Sequence, residues 1–290
     1  MKNLDIIFET NGGSYLYGTN LPSSDLDRRG VCMEPRQALL GLSPFEQFED
    51  NSNDQDRVIY GLRKFTTLAL GQNPNIVELL YAPLELDNLL VTKEWMNLVM
   101  YRELFLSRKV ADTFVGYAVS QLKRMETHYR WMTIDPPEKP DPMDYGRVLE
   151  KKFGVETAVW INSNLRNEYD NKLKAWQQYN IWIDNRNIAR HNLEEEYGYD
   201  TKNAMHLVRL LQQGEELLKT GFLKLPRPNA RELLDIRRGS MKYEEVIKYM
   251  ETKKIELDEL KKVSVLPEKP DFNKVENLIM NINEDYLRGK

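Results

Sequence analysis

Apolar positions change their rhythm along this chain, and the change predicts two regions. The first carries short apolar runs set between turn signals. Leu4-Asp5-Ile6-Ile7-Phe8 reads as one strand and residues 25–33 as a second. Glu34-Pro35-Arg36 and Ser43-Pro44 mark turns, and the acidic, polar stretch 49–56 reads as an exposed loop. Residues 56–60 then alternate, with Asp56, Val58 and Tyr60 on one face, which predicts a third strand. Over 62–70 the apolar positions switch to helical spacing, and Gly71 with Asn73-Pro74 stops that helix. A short helical piece over 75–81 is closed by Pro83.

From Glu94 onward the pattern is almost wholly helical. Pro136-Pro137-Glu138-Lys139-Pro140-Asp141-Pro142 cannot be helix interior. It separates a helix around 114–131 from a helical stretch over 155–185. Pro226-Arg227-Pro228 precedes a helix from Ala230, and Pro267-Glu268-Lys269-Pro270 leads into a terminal helix. The expected architecture is α+β: a small mixed-sheet domain over residues 1–90, then a mainly helical domain over 91–290. Tyr169, Trp176, Tyr179 and Trp182 recur at helical spacing and read as core rather than as a base-stacking platform.

Composition narrows the class. With 290 residues, 41% hydrophobic and 30% charged, the chain has the balance of a globular protein with a real core. No run approaches the roughly 18 apolar residues of a membrane span, and the first residues lack a signal core. One cysteine, Cys32, cannot form an internal disulfide. Together these features predict a cytoplasmic protein without a membrane partner. Three histidines and one cysteine make a zinc cluster an unpromising expectation. The net charge of −4 does not advertise nucleic-acid binding, but its distribution is uneven. Residues 1–56 carry ten acidic and four basic side chains, whereas 200–242 carry nine basic and five acidic. That asymmetry suits metal ions on one wall of a cleft and phosphates on the other, or is ordinary scatter.

The chemistry concentrates in Gly13-Ser14-Tyr15-Leu16-Tyr17-Gly18, followed by Ser24-Asp25-Leu26-Asp27. Gly13 and Ser14 offer backbone amides and a hydroxyl that can hold phosphate oxygens. Asp25 and Asp27 share one face of a strand, about 6.7 Å apart at Cα, within reach of one metal centre. This combination resembles the DNA polymerase β-like nucleotidyltransferase superfamily, whose signature is Gly-Ser followed by Asp-x-Asp. The resemblance narrows to an RNA-repair-associated branch through Arg29-Gly30-Val31, Leu62-Arg63-Lys64-Phe65, Asn73-Pro74-Asn75 with Glu78-Leu79-Leu80, and residues 199–211. Tyr15 departs from the pattern, since relatives often carry a basic residue directly after Gly-Ser.

The resemblance implies a Mg²⁺-dependent enzyme with a two-metal site, Mn²⁺ serving as a substitute. It would transfer a nucleoside monophosphate from a nucleoside triphosphate to a hydroxyl, releasing pyrophosphate. The implied acceptor is an RNA end, a tRNA under repair. A protein or small-molecule hydroxyl is the alternative acceptor, and a catalytically silent RNA- or protein-binding relative is the alternative class. Relatives draw a third carboxylate from a neighbouring strand. Asp56 is the candidate, completing a metal set with Asp25 and Asp27, and Asp54 is its rival. Lys64, at a predicted helix start, is a candidate phosphate contact. Asn73-Pro74-Asn75 reads on composition as a helix stop and N-cap. Lys202, His206 and Arg209 fall within an arc of about 60° on an ideal helix. Ala204, Leu207, Val208 and Leu211 fill the opposite arc. The polar stripe is either a solvated face or, as the branch signature implies, a nucleotide-binding face.

Overall fold

The computed structural model describes residues 4–50, 55–84, 90–133, 135–152, 155–184 and 188–289. Its first elements are β1 (Asp5–Asn11), α1 (Gly13–Tyr17), β2 (Leu26–Met33), α2 (Arg36–Leu40), β3 (Gln47–Asp50), β4 (Gln55–Gly61), α3 (Leu62–Leu70), α4 (Pro74–Leu80), β5 (Leu90–Val91) and α5 (Lys93–Met100). The strands form one mixed sheet in the order β3-β4-β2-β1-β5, antiparallel except for the parallel pair β2 and β4. Strand β3 takes in Glu49 and Asp50, which the polarity of 49–56 assigns to a loop. Pairing with β4 overrides that local polarity, because an edge strand can keep charged side chains toward water. Asp54 lies outside the described residues.

Strand β2 changes character halfway along. Leu26-Asp27-Arg28-Arg29 is half-buried, and Gly30-Val31-Cys32-Met33 is buried. The polar half belongs to the end of the central strands where the carboxylates gather, and the apolar half enters the core. There Phe8 stacks on Trp95 of α5 with centroids 4.1 Å apart, and Phe65 of α3 meets Trp95 edge-on at 5.4 Å. Rings in those geometries add to the burial of their large apolar surfaces. Helix α3 starts against the end of β2, where the buried Glu34 carboxylate accepts a 2.6 Å hydrogen bond from the Arg63 amide. That bond satisfies one of the amides a helix start leaves open.

Gly30 controls how closely the three central strands approach. It pairs with Glu9 on β1 and with Ile59 on β4. A Cβ at Gly30 would lie 2.5 Å from the Phe8 carbonyl oxygen and 2.8 Å from Ile59 Cδ1. Paired residues share a face, so Glu9 and Arg57 lie on the Gly30 face of the sheet. The Arg57 guanidinium donates to both Glu9 carboxylate oxygens at 2.7 and 2.8 Å. That bidentate pair ties β4 to β1 across the intervening strand.

The chain continues through a 3-10 turn (Arg102–Phe105) into α6 (Val110–Thr133), β6 (Arg147–Lys152), β7 (Val155–Trp160), α7 (Ser163–Asp184), α8 (Ile188–Tyr197), α9 (Thr201–Thr220), α10 (Ala230–Arg237), α11 (Tyr243–Val263) and α12 (Phe272–Arg288). The fold is α+β, with a small mixed sheet followed by a mainly helical remainder. One expectation fails here: the helical reading of 155–185 covers a strand as well as a helix. Val155-Glu156-Thr157-Ala158-Val159-Trp160 pairs with β6 as an antiparallel hairpin. Its β-branched and aromatic residues favour a pleated surface. The Asn162 side chain accepts from the Asn164 amide at 2.7 Å, marking where the helix begins.

Two compact units emerge, Met1–Leu122 with Lys202–Lys290, and Lys123–Thr201. The boundary expected near residue 90 falls inside the first. No described helix is long and apolar enough to cross a membrane.

Gly30→Ala is expected to cost about 1–3 kcal/mol, since backbone rather than a flexible side-chain end stands against the new methyl. Chemical denaturation checks this, and an unchanged midpoint would show that β1 and β2 can separate freely. Burial is the main cause that pushes the Cys32 thiol up to about 12, with Glu34 and Asp5 adding to it. At pH 8 the native protein should therefore resist a thiol-specific disulfide reagent and react at one site once unfolded.

Candidate active site

Register brings the predicted carboxylates together. In the parallel pair β2–β4, Asp27 is the partner of Asp56, so their side chains share a face on adjacent strands. Asp25 lies exposed just ahead of β2. Arg29, two residues along the same face as Asp27, reaches back over both strands. It donates to the Asp56 carboxylate at 2.7 Å and to the Asp56 carbonyl at 2.6 Å, and stands 3.7 Å from the Asp27 carboxylate. Sequence reasoning assigned Arg29 no role. Its signal is the i, i+2 spacing from Asp27, which puts a cation beside an acidic pair.

The Gly-Ser turn abuts the same carboxylates. The Gly12 amide donates to the Asp27 carbonyl at 2.7 Å. Gly13 has φ +56, and a Cβ there would fall 2.2 Å from Asp27 Oδ2. Only glycine lets the turn and the carboxylate occupy that space. Ser14 follows, half-buried, in the first turn of α1. At the other end of α1, the Tyr17 hydroxyl donates to Glu78 Oε2 on α4 at 2.5 Å. The Arg209 guanidinium on α9 lies 3.7 Å over the Tyr17 ring, bonds the other Glu78 oxygen, and donates to Gln213 at 2.9 Å. The Arg227 amide caps the Tyr17 carbonyl at 3.0 Å.

The family model for the RNA repair pathway DNA polymerase beta family, RlaP, matches residues 1–281. The chain belongs to this family. An uncharacterized 38.9 kDa protein from the nrdC–mobD intergenic region of Enterobacteria phage T4 is 23% identical over 288 residues, covering 82% of this chain and 84% of the phage protein. No solved structure matches the chain.

For a polymerase β-like protein of RNA repair, the donor set at this end of the strands suits a hard divalent cation. Burial is the main cause raising the Asp27 carboxyl above the usual carboxylate range; Arg29 opposes it, Asp56 and Asp25 raise it further, and Lys202 lowers it. Carboxylates that repel one another and offer only oxygen fit Mg²⁺ or Mn²⁺. Asp25, Asp27 and Asp56 are the residues that would hold such an ion.

The basic residues expected at this RlaP site divide into three cases. Lys64 is not brought to it. Helix α3 starts at the opposite end of β4, about 16 Å along the strand from Asp56, and Lys64 Nζ bonds Glu46 at 2.7 Å. Lys202 is brought to it, as its charge acts on Asp27. Arg209 excludes the solvated-face reading of the stripe and, being buried on Glu78, stands apart from Lys202 and His206 as a candidate nucleotide contact. It is 4% exposed, and residues 201–211 are buried apart from Lys202 and His206, which are half-buried. Helix α9 is therefore enclosed nearly all round at this end. His206 lies between the other two along that helix. Asn73 is an N-cap, as composition suggests, accepting from the Asn75 amide at 3.1 Å.

Burial opposes the Arg209 charge, but Glu78 and Tyr17 more than offset it and raise its proton affinity. Removing one partner leaves the other charge buried alone. Arg209→Ala is expected to cost about 3–5 kcal/mol in a denaturation experiment, and Glu78→Gln combined with Arg209→Met clearly less. Equal losses in the two proteins would show that packing, not charge pairing, accounts for the effect.

Proposed function

We propose that the protein is a divalent-metal-dependent nucleotidyltransferase of the cytoplasm, moving a nucleoside monophosphate from a nucleoside triphosphate to a hydroxyl at an RNA end, such as that of a tRNA. The observation that carries this reading is the Asp27–Asp56 register pair beside the Gly13-Ser14 turn. Family membership supports RNA as the acceptor. In this reading the catalytic module spans residues 1–90, and acceptor contacts come from 91–290.

The acceptor oxygen would attack the α-phosphorus, forming one P–O bond as the bond to the β-phosphate oxygen breaks and pyrophosphate leaves. Bound Mg²⁺, in a two-metal arrangement, would neutralise phosphate charge and favour the deprotonated acceptor hydroxyl. Gly13 and Ser14 would hold the terminal phosphates through amides and hydroxyl. Asp25 and Asp27 would bind the nucleotide's ion, and Asp56 would face the acceptor side. Arg29 would keep Asp56 oriented toward Asp27. Lys202 would add positive charge beside Asp27, and His206 a hydrogen-bonding group further along the same helix. Arg209 would act at a distance, through the placement of α1.

Asp25→Asn and Asp27→Asn should each lower transfer more than about 100-fold with the fold intact. Asp56→Asn should lower turnover by a similar factor with little change in nucleotide affinity, since its contribution falls in the transition state. Incubation with each α-labelled nucleoside triphosphate and total RNA should put the label on RNA and release unlabelled pyrophosphate. Label on protein or on a small molecule would replace the RNA acceptor. No transfer by the wild-type chain to any acceptor would leave a silent binding relative.

A further inference from the structure

The second compact unit, Lys123–Thr201, has an unusual balance of burial. Among its described hydrophobic residues only Met125 and Tyr199 are buried, whereas Leu149, Ile161 and Ile181 are each more than half exposed. A unit of this size with so small an apolar core needs another source of cohesion. Its buried acidic groups among the described residues are Glu194 on α8 and Asp200 just before α9, at 2% and 1% exposure. Both carboxylates converge on one imidazole nitrogen of α6. His128 Nδ1 stands 2.9 Å from Glu194 Oε1 and 3.6 Å from Asp200 Oδ2, and all three ligand atoms lie within 4.8 Å of one another.

We propose that His128, Glu194 and Asp200 bind a divalent transition-metal ion of the Zn²⁺ or Mn²⁺ type that holds the second unit together. Donors about 2.1 Å from an ion stand about 3.0–3.4 Å apart at octahedral or tetrahedral angles, which the His128 distances bracket. An imidazole nitrogen with two carboxylates selects a borderline ion over Mg²⁺, which prefers oxygen throughout. Two carboxylates, one neutral imidazole and one divalent ion sum to zero charge, as a buried site favours. The rings of Trp131 and Trp182 lie 6.2 and 5.7 Å from the imidazole, providing an apolar wall that strengthens electrostatic attraction. One ion would link residues 128, 194 and 200, closing the long intervening stretch of chain. Such a cross-link stabilises by restricting the unfolded state as well as by bonding.

The test uses the full chain without a polyhistidine tag, dialysed against metal-free buffer and titrated with Zn²⁺, Mn²⁺ and Co²⁺. Asp25→Asn/Asp27→Asn removes the other acidic cluster, so nucleotide transfer and this site are read separately. That variant should bind about one ion per chain, give a Co²⁺ absorption spectrum of nitrogen and oxygen ligation, and melt at a higher temperature with the ion than with chelator. His128→Ala in the same background should weaken binding at least tenfold and abolish the melting shift. Absence of stoichiometric binding in the Asp25→Asn/Asp27→Asn protein overturns the proposal, and so does unchanged binding on adding His128→Ala. The first measurement needs no substitution near the site, so a misfolded His128 variant leaves the proposal open to refutation.

Discussion

The buried contact among Glu78, Arg209 and Tyr17 is the constraint on which the candidate active site rests. Helix α1 has five residues, too few to persist on its own propensity. Its position must therefore come from outside. Apolar packing is weakly directional and could let so short a helix slide. A carboxylate shared between a phenol hydroxyl and a guanidinium, with that guanidinium lying over the phenol ring, permits one arrangement. It fixes α1 against α4 and α9 together. Because Gly13 opens α1 and stands against the Asp27 carboxylate, an interior ion pair governs the geometry of a surface turn. The desolvation of two charges explains the demand for good geometry, since a poorly aligned pair would leave both under-compensated.

A second constraint sets the carboxylates relative to one another. Slipping β4 by one residue against β2 would turn Asp56 to the other face and break the match with Asp27. The Glu9–Arg57 bridge opposes that slip because it spans three strands and uses both oxygens of one carboxylate. Gly30 makes the crossing feasible by leaving its face of β2 bare. Arg29 opposes the slip from the other face, holding Asp56 by side chain and backbone at once. Core and site thus share two strands, with register as the quantity that connects them.

Much of this was legible in the sequence. The Gly-Ser turn, the strands carrying Asp27 and Asp56 and the Asn73 cap all follow from local pattern, whereas Asp25 lies just ahead of β2 rather than on the expected strand face. Arg209 was not legible from helical periodicity, which assumes one wet face; helix α9 is enclosed nearly all round at that end. A signal was present nonetheless. Glu78 interrupts Ile76-Val77-Leu79-Leu80, and Arg209 interrupts Leu207-Val208-Leu210-Leu211. Opposite charges each set within an apolar run point to burial as a pair. A predicted helix start does not by itself say how far from the carboxylates it falls, and Lys64 follows the end of β4 away from Asp56. The β6–β7 hairpin was lost by treating 155–185 as one rhythm, although Val155 to Trp160 carries strand-forming residues and Asn162 a capping side chain.

Charge balance ties the proposed chemistry to the residues present. Asp25, Asp27 and Asp56 bring three negative charges to one end of the central strands, against Arg29 and Lys202. The remainder is one negative charge, and a nucleoside triphosphate adds about four more. Such a site would repel its own substrate unless cations arrived with it. Two divalent ions would return the total to about one negative charge, which a nearby basic group or the acceptor's surroundings could screen. Arg29 then has a role that a third metal could not fill. It is attached to β2 and bonds Asp56 directly, so in the proposed cycle it would keep the carboxylates of the two strands aligned whether or not ions and nucleotide are bound. In the proposed reaction the arginine would supply lasting order at moderate attraction, and exchangeable ions the stronger charge needed while phosphates are bound.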